Sequence, residues 1–522
     1  MTTEQQTNKP IIWTISGSDC SGGAGIAADI KTGHALGVEV CHLITANTVQ
    51  NSQKLVAVNP IDVDILALQA NTLLQDKKPS VIKIGLIGNV AQVNWLVDFL
   101  STLKFQSKVQ VDNQKDATYY QKPLTVIYDP VGQASVGGEN GGKFSALTLA
   151  QLKSLLALVD IITPNSGEAQ FLANSTSISS KTLAQKILAL GVNSVIVKGG
   201  HPLDDSTSLK QGMNKNQAQK SCFDFCLHKL TDADSSKMSK DEIIEYGLVS
   251  EKINTNYNHG GGCSFATALA SFTAHGYLLR DAFTLTKAFI NQGLKANKGK
   301  HDHYGAFEQT SKPQLAQVFP KINVPLVEKY QKLPPFASLN ANRDGIDKLG
   351  LYPVIDSLYW LERLLPLKLK IIQLRIKNKP QAELENIIKE AVELTKQSPK
   401  TRLFINDYWP LAIKYGAYGV HIGQEDLVDA DLTKIQQAGL RLGISTHGCY
   451  EFLLAQQLQP SYLAIGAIFP TKTKDMTGQI QGIDNLKETL KLATHIPVVA
   501  IGGINHQRAV DVLATGVDSI AV

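Results

Sequence analysis

The sequence predicts two α/β units in one chain, an N-terminal unit with a mostly parallel sheet and a C-terminal (β/α)₈ barrel. Three observations support this fold class. A length of 522 residues exceeds what one hydrophobic core usually serves. Apolar runs alternate with helical patterns over residues 11–300, and a second alternation with eight strand-like runs begins at Leu349. We therefore predict domains at residues 1–305 and 346–522, joined by a proline-rich linker at residues 306–345.

The predicted N-terminal strands are short runs rich in Ile and Val, bounded by Gly, Pro or Asn. They are Ile11–Ser16, Val40–Ala46, Val81–Ile87, Leu124–Tyr128, Asp160–Thr163 and Ser194–Val197. Helical patterns lie between them, at Ala24–Leu36, Val90–Leu103 and Ala146–Val159. Residues 203–248 are rich in Asp, Ser, Lys and Asn, and we predict that they form a long surface excursion.

The predicted barrel strands follow one another with helical patterns such as Ala382–Lys396 between most of them. They are Leu351–Ile355, Ile371–Arg375, Leu403–Asp407, Gly419–Ile422, Arg441–Ser445, Tyr462–Phe469, Val498–Gly502 and Asp518–Val522. The motifs of the two halves differ, so we do not interpret the halves as internal repeats.

Composition excludes several classes of protein. The net charge of +5 is small for this length and no long Lys/Arg run occurs, so charge gives no support for nucleic-acid binding. No apolar stretch reaches the roughly 18 residues that a membrane span requires, and the first ten residues form no leader pattern. Six scattered cysteines indicate reduced thiols, and we predict a cytoplasmic protein.

Two glycine-rich or turn-like segments of the N-terminal half could bind anions. In the run 16–26, a strand enters a glycine-dense turn and a helix opens, which can bring backbone amides to a ligand, although a tight strand–helix turn has the same pattern. In Thr163–Glu168, Asn165 and Glu168 follow a strand and could organise Mg²⁺ near phosphates. The alternative is a helix N-cap in which Asn165 and Glu168 bond to each other's backbone.

The segment His259–Cys263 is the third candidate. Its three glycines can present amides to a transferring phosphoryl group, and a helical pattern follows at Ser264–His275. We expect Cys263 at the helix N-terminus, where the thiol pKa would be lowered, so that the thiolate could take a proton from a substrate hydroxyl. The alternative is a glycine-rich turn with a packing cysteine.

Together these segments resemble the hydroxymethylpyrimidine kinase and phosphomethylpyrimidine kinase family, which has a ribokinase-like fold. The resemblance covers residues 11–300. The matching motifs are Ile15–Thr32, Thr45–Ser52, Lys83–Gly88, Tyr128–Val131, Ile162–Ala169, Val197–His201 and His259–Cys263.

This resemblance implies two successive ATP-dependent phosphorylations in one pocket. It places Gly17, Ala24, Asp29, Gln50 and Val131 at the pyrimidine, and it places at ATP and phosphate the residues Asn165, Glu168, Lys198, Gly260, Gly261 and Gly262. Cys263 would be the catalytic base.

The family usually has Thr at position 261, and the loop 132–138 does not match its usual pattern. Pyridoxal-type kinases share the fold and the Asn-x-x-Glu feature, so phosphorylation of vitamin B6 is the alternative activity.

In the C-terminal half, polar or glycine residues end six successive predicted strands, and such barrels place their sites at this face. Cations there would suit a diphosphate, carboxylates would suit Mg²⁺, and paired glycines would suit a second phosphate. These segments resemble thiamine-phosphate synthase, a TIM barrel, over residues 349–522. The motifs are Gly350–Tyr352, Gln373–Lys377, Ile405–Asp407, Gly419–Leu427, Gly443–His447, Ile465–Lys474 and Ala500–Ile504.

The second resemblance assigns a role to each strand-end residue. It implies that diphosphate is held by Gln373, Arg375, Lys377, Ser445 and Lys474, the pyrimidine by Asn406, Mg²⁺ by Asp407 and Asp426, and the thiazole phosphate by Thr471, Thr473 and Gly503. The implied chemistry is dissociative, with Arg375 and Lys474 stabilising the leaving diphosphate.

The chain stops at Val522, inside the predicted eighth strand, so we expect a barrel that lacks its last helix. We predict a bifunctional enzyme of thiamine biosynthesis that uses ATP and Mg²⁺, acts on small molecules and forms a homo-oligomer. The alternative is an active kinase whose truncated barrel is a non-catalytic binding or regulatory module.

Overall fold

A computed structural model describes residues 9–51, 55–113, 123–131, 147–199, 220–230, 242–296, 305–339, 349–471 and 480–522. The chain forms two compact units. The N-terminal unit comprises Met1–Pro313 with Val318–Val324, and the C-terminal unit comprises Gln314–Gln317 with Pro325–Val522. None of the helices in these described ranges combines the length and the apolar character that crossing a membrane requires.

The described part of the N-terminal unit contains one ten-stranded sheet. Its strands are β1 (Ile11–Ser18), β2 (Glu39–Gln50), β3 (Leu55–Pro60), β4 (Val81–Ile84), β5 (Thr125–Tyr128), β6 (Ile161–Ile162), β7 (Ser194–Val197), β8 (Ser221–Lys229), β9 (Ile243–Glu251) and β10 (Lys321–Asn323). Their order is β10-β9-β8-β7-β6-β5-β4-β1-β2-β3. The six strands β1, β2 and β4–β7 pair in parallel, whereas β3, β8, β9 and β10 are antiparallel to their neighbours.

Helices flank this sheet because its central strands are apolar on both faces. They are α1 (Gly25–Ala35), α2 (Val63–Leu73), α3 (Val90–Asn113), α4 (Leu149–Leu156), α5 (Ser166–Leu172), α6 (Ser180–Leu188), α7 (Gly261–Ala274) and α8 (Leu279–Ala296). In the core, the fully buried Trp13 stacks on Phe99 of α3 with ring centroids 6.2 Å apart. Helix α7 packs on β1 and β4, which places its N-terminus beside the carboxyl ends of those parallel strands.

The prediction of a surface excursion over residues 203–248 is wrong for its described parts. Strands β8 and β9 pair along their whole length, from Ser221 opposite Glu251 to Lys229 opposite Ile243. Phe225, Cys226 and Leu227 are buried against the helices. The Asp, Ser and Lys content that suggested an excursion lies largely in residues 203–219 and 231–241, which fall outside the described ranges. Strands β3 and β10 were also missed, and β10 lies inside the predicted linker.

The C-terminal unit is a closed eight-stranded parallel barrel, as predicted. Its strands are β11 (Gly350–Tyr352), β12 (Val354–Ile355), β13 (Ile371–Leu374), β14 (Arg402–Asn406), β15 (Gly419–Ile422), β16 (Arg441–Thr446), β17 (Tyr462–Ile465), β18 (Val498–Ile501) and β19 (Ser519–Ala521). β11 and β12 are two halves of one strand interrupted at Pro353, which has no amide hydrogen to donate. The first half pairs with β19 and the second with β13, so this strand closes the barrel.

A 3₁₀ turn at Ala316–Val318 and helix α9 (Pro325–Tyr330) precede the first barrel strand. The helices that connect the barrel strands are α10 (Leu358–Leu364), α11 (Gln381–Lys396), α12 (Trp409–Tyr415), α13 (Gln424–Leu427), α14 (Leu432–Gln437), α15 (Gly448–Gln457), α16 (Gly482–Leu490) and α17 (His506–Leu513), with a 3₁₀ turn at Leu365–Leu367. The barrel interior is packed with aromatic rings. Phe404 meets Tyr462 edge to face at 5.2 Å between centroids, and Tyr352 meets Tyr462 at 5.7 Å.

Candidate active sites

In the N-terminal unit, the glycine-dense turn after β1 is tied to the glycine loop before α7. Asp19 accepts hydrogen bonds from the Ala24 amide at 2.9 Å and from Ser21, and its Oδ2 lies 2.8 Å from His259 Nε2. A Cβ atom at Gly23 would lie 2.4 Å from the His259 ring, so glycine allows this close approach. The two predicted anion-binding loops therefore form one surface.

The carboxylate of Asp19 is held in its charged form. Burial raises the pKa of Asp19, but hydrogen bonds from His259, Gln50 and Ser21 outweigh burial and leave the pKa below its ordinary value. Gln50, the last residue of β2, contacts Asp19 through its side chain, and Ala24 contacts it through its backbone amide. Two of the predicted pyrimidine residues therefore hydrogen-bond to Asp19. Asp19 itself was not singled out from the sequence, although it lies inside the recognised motif.

Cys263 lies in the first turn of α7, as expected from the sequence, but its predicted thiolate character is wrong for this structure. Burial raises the pKa of the thiol to about 11; Lys83 and the Gly25 amide lower it, while Asp29 and Asp129 raise it. The helix N-terminus does not compensate for the loss of solvent. Cys263 is therefore mostly a thiol at neutral pH, and it would have to lose its own proton before it could accept one from a substrate hydroxyl.

A buried ion pair lies near Cys263. Lys83 Nζ is 2.8 Å from Asp29 Oδ2, and both side chains are fully buried. Asp29 also accepts hydrogen bonds from Thr267 Oγ1 at 2.7 Å and from Thr14 Oγ1. Asp29 was predicted to line the pyrimidine pocket, and in the described residues its carboxylate binds Lys83, Thr267 and Thr14. Lys83 was missed as a site residue, although a lysine inside the apolar run of β4 is a signal that could have identified it.

Asn165 and Glu168 form the capping box that the alternative interpretation described. Asn165 Oδ1 accepts from the Glu168 amide at 2.9 Å, and Glu168 Oε2 accepts from the Asn165 amide at 2.8 Å. The backbones of Asn165 and Lys198 pair in an isolated parallel β-bridge, and Lys198 Nζ donates to Asp129 Oδ1 at 2.7 Å. A Cβ at Gly262 would lie 3.4 Å from that Nζ. These residues therefore converge on one edge of the sheet.

The remaining predicted kinase residues lie around this edge. Gly17 touches the turn, since a Cβ at Gly25 would be 2.1 Å from the Gly17 carbonyl oxygen. Val131 follows β5 and donates its amide to the Asp129 carbonyl at 2.8 Å. Gly260 has a φ of +79° and caps α7, whereas a Cβ at Gly261 would have no atom of another described residue within 4 Å beyond its own helix turn. Asp129 was missed, although its motif Tyr128–Val131 was recognised.

In the barrel, three of the predicted site residues, Lys377, Asn406 and Asp407, meet at the end of β14. Asp407 Oδ2 accepts from Lys377 Nζ at 2.7 Å and from Asn406 Nδ2 at 2.5 Å. The Asp407 amide donates to the His421 carbonyl at 2.8 Å, in the strand that leads to Asp426. Asp407 has a φ of +63°, an uncommon conformation for a residue other than glycine, which indicates a constrained position.

The carboxylates of Asp407 and Asp426 would suit a Mg²⁺ ion that keeps most of its water ligands. In the described residues, no group of three His, Cys, Asp or Glu side chains could enclose a metal. Mg²⁺ usually takes one or two carboxylates and completes its shell with water and substrate phosphate oxygens. Two carboxylates at neighbouring strand ends therefore suit an ion that arrives with a diphosphate.

Ser445 is connected to a buried hydrogen-bonded chain that the sequence did not predict. His421 Nε2 lies 2.7 Å from Ser445 Oγ, and His421 Nδ1 lies 2.7 Å from the Tyr462 hydroxyl. The Tyr462 hydroxyl lies 2.6 Å from that of Tyr352, which accepts from Gln373 Nε2 at 3.3 Å. Burial lowers the pKa of His421 to about 4, with Asp407 opposing and Arg375 reinforcing the shift.

The predicted thiazole-phosphate residues lie at the ends of β17 and β18. Gly503 has a φ of +62°, and a Cβ there would lie 2.5 Å from the Pro470 carbonyl oxygen, directly before Thr471. Thr471 and Gly503 are therefore neighbours. Thr473 and Lys474 lie outside the described residues. Arg375 follows β13 at the same face of the barrel, and its amide donates to the Ile355 carbonyl at 2.8 Å.

Comparison with known proteins places each half in a family. Residues 19–307 match phosphomethylpyrimidine kinase, and residues 351–522 match thiamine monophosphate synthase. The chain is 58% identical over 175 residues to the thiamine-phosphate synthase of Yersinia pseudotuberculosis, covering 34% of this chain and 81% of that protein. It is 55% identical over 175 residues to that of Photorhabdus laumondii, covering 34% and 81%. The crystal structure of phosphomethylpyrimidine kinase from Clostridium difficile shares 27% identity with a TM-score of 0.39, covering 54% of this chain and 99% of that one.

Proposed function

The chain belongs to the phosphomethylpyrimidine kinase family through residues 19–307 and to the thiamine-phosphate synthase family through residues 351–522, and we propose how its two sites act. It is a bifunctional enzyme of thiamine biosynthesis. In the proposed series of reactions, a phosphoryl group is transferred from ATP to 4-amino-5-hydroxymethyl-2-methylpyrimidine, and a second one is then transferred to the resulting phosphate. The resulting diphosphate couples with hydroxyethylthiazole phosphate and releases diphosphate. The occurrence of both families in one chain carries this proposal, because the product of one is the substrate of the other.

In the kinase half, the amides of Gly260, Gly261 and Gly262 would receive the transferring phosphoryl group at the positive end of α7. The thiolate form of Cys263 would accept the hydroxyl proton as the phosphoryl group arrives. Lys198 would add positive charge near the phosphoryl group. Bound Mg²⁺ would neutralise the ATP phosphates. The capping box holds Asn165 Oδ1 and Glu168 Oε2 on backbone amides. These residues would therefore orient the water shell of the ion rather than coordinate the ion directly.

In the barrel, Arg375, Lys377 and Lys474 would bind the diphosphate with Ser445 and Gln373, while Asn406 orients the aminopyrimidine. Mg²⁺ at Asp407 and Asp426 would stabilise the leaving group. The bond between the pyrimidinyl methylene carbon and the diphosphate oxygen breaks first. The thiazole nitrogen, held through its phosphate by Thr471, Thr473 and Gly503, then attacks that carbon and forms the new bond.

The decisive experiment is an assay of the intact chain with hydroxymethylpyrimidine, thiazole phosphate, ATP and Mg²⁺, measuring ADP, pyrimidine diphosphate and thiamine phosphate separately. We expect Cys263→Ala to abolish ADP formation while coupling of supplied pyrimidine diphosphate continues. Arg375→Ala should show the reverse, with pyrimidine diphosphate accumulating. If the wild type phosphorylates pyridoxal in preference to the pyrimidine, or if supplied diphosphate is never coupled, the corresponding half of the proposal is wrong.

Asp407→Asn tests the metal assignment. The substitution keeps the side-chain size but removes one charged oxygen ligand, so we expect the Mg²⁺ concentration for half-maximal coupling to rise about tenfold or more. The matched control is Asp429→Asn, which changes a carboxylate near the end of the short helix α13 without belonging to the predicted site. An unchanged Mg²⁺ dependence in Asp407→Asn would contradict the assignment.

A further inference from the structure

The barrel interior contains an unbroken line of hydrogen bonds that ends at the proposed diphosphate site. It runs from Gln373 Nε2 to the Tyr352 hydroxyl (3.3 Å), to the Tyr462 hydroxyl (2.6 Å), to His421 Nδ1 (2.7 Å), and from His421 Nε2 to Ser445 Oγ (2.7 Å). Tyr352, Tyr462, His421 and Gln373 are all buried. We call these five side chains the interior relay.

The relay has one consistent direction when Gln373 presents its amide nitrogen to Tyr352, as it does here. The amide nitrogen can only donate, so the Tyr352 oxygen accepts, and the Tyr352 hydroxyl hydrogen then pairs with the neighbouring Tyr462 oxygen. The Tyr462 hydroxyl hydrogen then passes to His421 Nδ1. A neutral imidazole that accepts at Nδ1 carries its hydrogen on Nε2, so His421 donates to Ser445 Oγ. The hydroxyl hydrogen of Ser445 is therefore not used by the relay and can be donated to a ligand oxygen.

Packing holds each member of the relay in place. The Tyr462 ring stacks on His421 at 5.6 Å between centroids and meets Phe404 edge to face. A Cβ at Gly443 would lie 2.5 Å from the Tyr462 hydroxyl oxygen, so the glycine makes the space that the hydroxyl occupies. These constraints limit the rotation that would let a hydroxyl change partner.

Such a line is costly to bury unless each group is paired, and phenylalanines could fill the same volume without polar groups. The contact of this line with Ser445 indicates why polar groups are buried here. We propose that the interior relay is a positioning network which fixes the Nε2–H tautomer of His421 and thereby directs the Ser445 hydroxyl hydrogen to the diphosphate of the pyrimidine substrate. This inference rests on the proposed role of Ser445 in the synthase reaction.

The test is a double-mutant cycle in the full chain, with coupling of supplied pyrimidine diphosphate to thiazole phosphate as the readout. Tyr462→Phe removes the hydroxyl that orients His421 and keeps the ring. We expect about a tenfold or greater loss of kcat/KM for the diphosphate substrate, the size expected for a misdirected hydrogen bond to a charged group. Ser445→Ala should cause a similar loss, and the double variant should be no worse than Ser445→Ala alone. Tyr418→Phe, on another ring that packs against Phe404, is the matched control and should leave coupling unchanged.

The outcomes separate the relay from the site on which it rests. If Ser445→Ala couples normally, the proposed diphosphate role of Ser445 fails, and the relay with it. If Ser445→Ala is impaired but Tyr462→Phe is not, or if the two losses multiply, the relay alone is overturned. A measurement without substitution guards against unfolded variants. The ¹⁵N shifts of His421, assigned by comparison with His421→Gln, should show Nε2 protonated and Nδ1 unprotonated, and the opposite tautomer would overturn the proposal.

Discussion

Asp19 Oδ2 and His259 Nε2 lie 2.8 Å apart although 240 residues separate them in the chain. This contact joins the turn that carries the proposed pyrimidine residues to the glycine loop that would receive the phosphoryl group. Both side chains are almost completely buried, so the contact is shielded from competing water. In the proposed kinase reaction, the placement of the substrate hydroxyl against the glycine loop would therefore depend on this contact.

His259→Ala should separate these two loops. We expect kcat of pyrimidine phosphorylation to fall about tenfold or more, because the substrate hydroxyl and the amides of the glycine loop lose their relative placement. Initial-rate measurements of ADP formation test this. The control is His34→Ala, at an exposed position in α1, which should keep the wild-type rate. Equal rates in wild type and His259→Ala would show that the contact is dispensable.

Lys83→Met should destabilise the N-terminal unit strongly. The substitution leaves the Asp29 carboxylate buried without its cation, a change that typically costs about 3–5 kcal/mol of the free energy of unfolding. Adding Asp29→Asn in the same chain should recover much of the loss, since the buried charge is then removed as well. Denaturant titration with hydrogen exchange of the N-terminal unit measures both effects. Lys77→Met breaks the half-exposed pair with Glu39 and should hardly move the midpoint, so an equal shift in both variants would contradict the argument.

The rate of pyrimidine phosphorylation should increase with pH. Because the pKa of Cys263 is about 11, the thiolate fraction is small at neutral pH and grows tenfold with each pH unit below that value. The charged groups that set this pKa are Lys83, which favours the thiolate, and Asp29 and Asp129, which disfavour it. Initial rates at saturating substrates between about pH 6.5 and 9 should therefore rise with a slope near one on a logarithmic scale. Cys263→Ser should lose both rate and slope, and a flat wild-type profile would falsify the role of the thiolate.

The parallel strands could be predicted closely, whereas the antiparallel ones could not. β7 (Ser194–Val197) and β15 (Gly419–Ile422) have the predicted bounds because each is a short run that contains Val and Ile and is bounded by Gly or Asn. β8 and β9 were missed because their pairing partners decide their structure. Asp224 lies in the middle of β8, and its charge is buried through an ion pair with Lys287 at 2.5 Å, which no local pattern indicates.

The same distinction holds for the sites. Motifs identified the loops, because glycines and strand ends are local features. The partners inside the fold could not be predicted, since Tyr352 and Tyr462 are 110 residues apart and each alone has the pattern of an ordinary core aromatic. Lys83 stands out in the apolar run of β4, but its partner Asp29 cannot be identified from that run. The raised pKa of Cys263 follows from solvent exclusion that the chain order does not encode.

Gly261→Ser should increase kinase efficiency. Among the residues that the structure describes, no neighbour outside the local helix turn comes within 4 Å of a Cβ at this position. The residue lies in the first turn of α7, where amides would face the phosphoryl group. A hydroxyl there adds one donor to an anion, so we expect kcat/KM for ATP to rise about threefold or more. Gly260→Ser is the contrasting variant, because its φ is +79° and a Cβ would lie 1.9 Å from the Gly23 carbonyl oxygen. It should lose most activity, and an improvement in both variants would mean that loop geometry is not limiting.

Gly443→Ala should impair the synthase reaction more than it destabilises the barrel. The added methyl group would lie 2.2 Å from Tyr462 Cζ, so the ring must move and the hydrogen bonds at its hydroxyl must break. Gly419→Ala is the matched control, since its methyl group would lie 2.4 Å from Phe404, a ring with no polar atom, and 2.7 Å from the Arg441 carbonyl oxygen. Both variants should lose about 1–3 kcal/mol of unfolding free energy, as overpacked cores do. At a temperature where both are folded, Gly443→Ala should lose about tenfold more coupling rate than Gly419→Ala, because its methyl group displaces the Tyr462 hydroxyl directly, whereas Gly419→Ala reaches Tyr462 only through the Phe404 ring. Equal losses of rate in the two variants would instead assign the effect to packing, and ADP formation by the N-terminal unit of each variant serves as the internal reference.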